Sequence, residues 1–96
     1  MERYQITLHS PMGPRRGTLE LSGDGRAVVE LLGFRSPLKA ERLDAERIRL
    51  TGQMDSVMGK IELRAELVIR KGAFDSMVHT GKGDMRLTGS RADGTE

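Results

Sequence analysis

Apolar and polar residues alternate along most of the chain, and a period of two marks a strand with one buried and one wet face. The longest such run is Ile61, Leu63, Ala65, Leu67 and Ile69, interleaved with Glu62, Arg64, Glu66, Val68 and Arg70. The same period passes through Tyr4, Ile6 and Leu8, through Leu19 and Leu21, through Ile48 and Leu50, and through Met85 and Leu87. Between the runs stand turn residues: "SGDG" at Ser22 to Gly25, "RKG" at Arg70 to Gly72, and three segments of the form Ser/Thr-x-x-Gly. Glycine accepts positive φ in such turns, and Ser or Thr bonds nearby backbone. The pattern predicts about eight strands, at roughly 2–9, 15–22, 26–33, 36–41, 46–54, 58–70, 73–80 and 84–91. The expected fold is all-β: an antiparallel up-and-down meander forming a small closed or nearly closed barrel.

One segment carries mixed signals. In "SPLKAERLDAERIRL", Ser36 could cap a helix that Pro37 begins, and Ala, Glu, Arg and Leu are good helix formers. Its apolar residues, however, advance by two, three, two, three and two from Leu38 to Leu50, which fits no single helical stripe. Two strands with a turn near Leu43 to Glu46 account for them better.

The Ser/Thr-x-x-Gly segments are "HSPMG", "DSVMG" and "HTGKG", which end at Gly13, Gly59 and Gly83. A chain of successive hairpins returns to one turn solution, and that explains the recurrence. A sharper reading notes that His9, Asp55 and His79 precede the Ser or Thr, and two histidines with a carboxylate can form an open metal triad. Strand parity sets His9 opposite Tyr4, Ile6 and Leu8, on the outside, so no metal or other cofactor is expected and these three residues remain weak candidates. Met12 and Met58 precede the glycine in two of the turns. An adaptable side chain at a hairpin tip suits a flap over the open end of a barrel, with Met54, Met77 and Met85 filling the interior.

Composition narrows the function. The chain has 96 residues, enough for a single domain, here placed at 1–91 with a short tail at 92–96. Aromatic residues are only 3%, namely Tyr4, Phe34 and Phe74, so aliphatic side chains must build the core. There is no Cys, which excludes thiolate sites and suits a reducing cytoplasm. No apolar run reaches signal-peptide or membrane-helix length, so a cytoplasmic protein without a membrane partner is expected. Sixteen basic and fourteen acidic residues leave a net charge of only +2, with the signs interspersed. The "RRG" and "RKG" excesses fall at turns, and no exposed aromatic platform is foreseen, so nucleic acid is an unlikely partner. No nucleophile stands in a G-x-S-x-G elbow, and neither "GDG" nor "GKG" opens a phosphate-cradling helix, so no enzyme is foreseen.

The strand ending in "SPMG", the run "GTLEL", the long "GKIELRAELVI" and the closing "MRLTGSR" resemble the small calycin-like barrels, the architecture shared by lipocalins and avidins. That resemblance extends to about Arg91 and implies a barrel whose interior is just filled by side chains or holds one small ligand, with this chain, whose strands are short, nearer the filled end. The leading expectation is a small apolar or amphipathic ligand at the open end. The tryptophan-bearing opening motif of true lipocalins is absent, since the chain has no Trp. The expected ligand contacts are Tyr4, Met12 and Met58.

The rival expectation is a protein-interaction module. In "AVVELLGF", Val28, Leu32 and Phe34 fall on one parity and Val29 and Leu31 on the other, so the strand reads as apolar on both faces. A homodimer joined through Val28, Leu32 and Phe34 would cover the outer one.

Overall fold

The computed structural model describes residues 2–31, 33–56 and 59–92, with the side chain of Ser56 excepted. Eight antiparallel strands follow one another as β1 (Glu2–Ser10), β2 (Gly13–Leu21), β3 (Arg26–Leu31), β4 (Phe34–Arg42), β5 (Arg47–Ser56), β6 (Gly59–Val68), β7 (Ala73–Thr80) and β8 (Gly83–Arg91). Each pairs with the next, and β1 pairs with β8 from Tyr4–Arg91 to His9–Arg86, which closes the barrel. Closure leaves no strand edge to be covered. Ala92 extends the last pairing by donating its N–H to the Arg3 carbonyl at 2.9 Å.

Alternation converts directly into burial. Tyr4, Ile6, Leu19, Leu21, Ile48, Leu50, Ala65, Leu67 and Leu87, all on the predicted apolar parity, are buried in one core. The contested segment after Ser36 is strand, turn and strand. Its turn is held by the Asp44 carboxylate, which accepts N–H groups from Glu46 and Arg47, both at 2.9 Å, and from the Arg47 side chain at 2.8 Å. An acid that bonds its own following backbone makes a turn that competes with helix, and this outweighs the propensity of the flanking Ala and Glu. The backbone bond from Glu46, then the Arg47 guanidinium, lower the Asp44 pKa to about 2.

Two places in the sheet constrain the residue that stands there. Pro37, which has no N–H, stands opposite Val28, and the β4–β5 register starts only after it, at Leu38–Gly52. There the buried Ser36 hydroxyl accepts the Asp55 N–H at 3.0 Å in place of a ladder bond. The second place is Gly17, whose inward position lets β2 approach β3 closely. A Cβ there would lie 2.0 Å from the Glu30 carbonyl oxygen and 2.6 Å from Leu31.

Two outcomes test this account. Gly17→Ala should lower stability in urea unfolding by roughly 1–3 kcal/mol, because backbone must give way, whereas Gly81→Ala, which meets nothing within 4 Å, should stay within about 0.5 kcal/mol. The Asp44 carboxyl falls from an ordinary 3.8 to about 2 on folding, so its contribution is complete above about pH 4 and is lost as the pH falls toward 2. The urea midpoint difference between wild type and Asp44→Ala should therefore shrink across that window.

Candidate ligand-binding site

The two ends of the barrel differ because two of its three aromatic rings lie together at one of them. Tyr4 and Phe74 meet edge to face, with centroids 5.6 Å apart and planes at 68°. Arg91 lies 5.9 Å from the centre of the Tyr4 ring, and the Tyr4 hydroxyl donates to Glu2 at 2.9 Å. With Leu21, Ala27, Ile48 and Leu67, all buried, these rings make a solid plug. The tight β6–β7 hairpin also lies at this end, where Lys71 (φ 53°) and Gly72 (φ 76°) give the paired left-handed residues of a two-residue loop.

The other end is open. The β1–β2, β3–β4, β5–β6 and β7–β8 hairpins stand around it, closed by the register pairs Ser10–Gly13, Leu31–Phe34, Ser56–Gly59 and Thr80–Gly83. The three similar motifs therefore each close a hairpin at one mouth, at Ser10–Gly13, Ser56–Gly59 and Thr80–Gly83. Their glycines have φ of 111°, 100° and 116°, a region that favours glycine. The Ser10 hydroxyl donates to the Gly13 carbonyl at 2.7 Å, and that of Thr80 to the Gly83 carbonyl at 2.6 Å.

Inside this mouth is a cavity of about 510 Å³. Its floor includes the buried Leu19, Val29, Leu50, Ala65, Val78 and Leu87, which meet the top of the core. Leu8, Met54, Ile61, Leu63 and Met85, all half-buried, form much of its wall. The volume falls in the range of small-molecule sites, which are typically concave and mainly apolar. Arg15 also lines it, half-buried, and is the sole charged side chain among the described lining residues. Its parity with Leu19 and Leu21 places it inward, whereas the adjacent Arg16 is exposed.

The expected ligand contacts separate. Met12 lines the mouth but is 83% exposed, so it is a rim residue and no flap. Tyr4 is 1% exposed in the plug at the opposite end, outside the cavity lining, because β1 runs from the plug at Tyr4 to the mouth at Ser10. Met58 lies outside the described residues. Met54 and Met85 line the cavity, but Met77 is 50% exposed on the outer face.

The expected interface also divides. Val28 is half-buried on the outer face, while β3 ends at Leu31 and Phe34 opens β4 as its cross-strand partner. Partners directly across a ladder share a face, so Phe34 takes the inner parity of Leu31 and Val28 does not. Leu32 lies outside the described residues. A single strand with two apolar faces is thus replaced by a hairpin that turns at Gly33. The candidate metal ligands have separate partners: the His9 ring meets the Thr88 hydroxyl at 3.2 Å, His79 meets Asp84 at 2.9 Å, and Asp55 accepts from Lys60 at 2.9 Å. They do not converge, and no group of three metal-ligating side chains occurs among the described residues.

No protein-family model and no curated protein matches the chain. The fold is that of designed eight-stranded barrels. The redesigned β-barrel b11L5F_LGL superposes with a TM-score of 0.66 over 96% of this chain and 90% of that one, at 12% identity. The redesigned β-barrel mFAP1, bound to DFHBI, does so with a TM-score of 0.66 over 94% and 91%, at 15% identity. At such identities the likeness is one of fold.

The division into plug and mouth has a direct test. Phe74→Ala should cost roughly 3–5 kcal/mol in chemical unfolding, the usual cost of removing a buried ring, while Met12→Ala should leave stability nearly unchanged. Equal costs would show that the mouth is as solid as the plug.

Proposed function

We propose that this protein is a non-catalytic binding domain that takes a small apolar or amphipathic molecule into the open end of its barrel. The observation that carries this reading is the cavity of about 510 Å³ whose floor and wall are almost wholly aliphatic. Well-packed interiors leave few voids larger than a water molecule, and removing apolar surface from water there would favour an occupant. The likeness to a designed barrel that holds DFHBI supports the reading by fold alone.

The test uses a neutral dye whose emission reports apolar surroundings, such as Nile red. Wild-type protein should bind it saturably at one site. Leu63→Trp, which adds bulk to the half-buried wall, should reduce the affinity several-fold while the β-type circular dichroism spectrum persists. Absence of saturable binding, or binding indifferent to Leu63→Trp, would sink the proposal.

A further inference from the structure

An apolar cavity says little about orientation, but the polar groups around this one are unequal. Ser10 and Thr80 also line it, yet both hydroxyls already donate to turn carbonyls at Gly13 and Gly83. Thr80 additionally accepts the Lys82 N–H at 3.0 Å. Arg15 differs: no carboxylate lines the cavity, and Arg15 has no ion-pair partner among the described residues. On the outer face many arginines are paired, with Arg3 on Glu20 at 2.7 Å, Arg35 on Glu30 at 3.0 Å and Arg47 on Asp44 at 2.8 Å. Those without an ion pair among the described residues, Arg16 and Arg64, are exposed to water, whereas Arg15 is half-buried against aliphatic walls.

An arginine half-buried beside aliphatic walls can lay its stem along them and present its head at the mouth, where no counter-charge meets it among the described residues, and its planar fork suits a carboxylate or a similar oxyanion. From this contrast, and resting on the ligand-binding reading above, we infer that the occupant is a single-tailed amphiphile with an anionic head. Its head group sits at Arg15 near the mouth. Its tail descends toward Leu19, Leu50 and Leu87, where no charged group would oppose it. Arg15 is then the residue that chooses anionic over neutral or cationic amphiphiles of equal tail length.

Calorimetric titration with decanoate, decanol and decyltrimethylammonium at about pH 8 decides the matter. Decanoate should bind at least roughly tenfold more tightly than decanol, the scale of a hydrogen bond to a charged group, and the cation should bind most weakly. Arg15→Gln should abolish the preference for decanoate over decanol. Arg15→Lys should retain part of it, because the charge remains and the fork is lost. Decanol binding by Arg15→Gln reports an intact barrel. Equal affinity of wild type for decanoate and decanol, or a preference that survives Arg15→Gln, would overturn the head-group assignment and leave the cavity reading standing. Failure of wild type to bind any of the three would overturn both.

Discussion

The edge-to-face contact between Tyr4 and Phe74 decides which half of the barrel is solid. Eight strands enclose a space that side chains can just fill, and filling it takes bulk in every layer. The chain has one Tyr, two Phe and no Trp. Two of those rings lie in the plug, braced by Arg91 and by the Tyr4–Glu2 hydrogen bond, while Phe34 opens β4 without entering the cavity lining. Among the described residues, the layers toward the mouth hold no ring in the cavity lining, only aliphatic side chains and methionines with Ser10, Arg15 and Thr80, and a space remains between them. The candidate site thus follows from an uneven distribution of volume along the barrel axis, with no loop or insertion added to form it.

The same unevenness explains what the sequence could disclose. Each strand's period of two was legible because one face is dry, and a register slip of a single residue would turn Leu67 or Leu19 into water. Turns were legible where they repeat a chemistry, as in the three Ser/Thr-x-x-Gly hairpins. The Asp44 turn showed only in a break of period, since its decisive bonds join a carboxylate to backbone two and three residues later.

Distance along the axis was less accessible. Parity assigns Tyr4 to the inside, but nothing in a run of alternating residues says which end of the barrel a position occupies until hairpin connectivity is followed. Tyr4 therefore reads as a ligand contact although it lies at the far end from Met12. Phe34 illustrates the limit in another way: counting parity through Gly33 ignores the hairpin, after which faces are set by cross-strand partners. Arg15 gives two opposed signals. Its parity with Leu19 and Leu21 marks it as inward, yet a paired "RR" beside a turn reads first as solvated punctuation.

Charge on the outside and apolar surface on the inside are two sides of one solution. The outer residues pair across strands, as in Arg3–Glu20–Arg35 and Arg86–Asp75, and exposed pairs of this kind add little stability individually. Their effect is to leave opposite charges neutralised where the sheet meets water and to keep that face free of large apolar patches. Val68 and Met77 are exposed there singly, which is ordinary for a protein surface. Apolar area that is both concave and contiguous is found instead at the mouth, where the one charged side chain among the described lining residues has no pairing acid among the described residues. Arg16 and Arg64 also lack an ion pair among the described residues, but both are exposed to water, so the mouth is where an unpaired cation and a contiguous apolar wall meet, and that coincidence comes from the inward parity of Arg15.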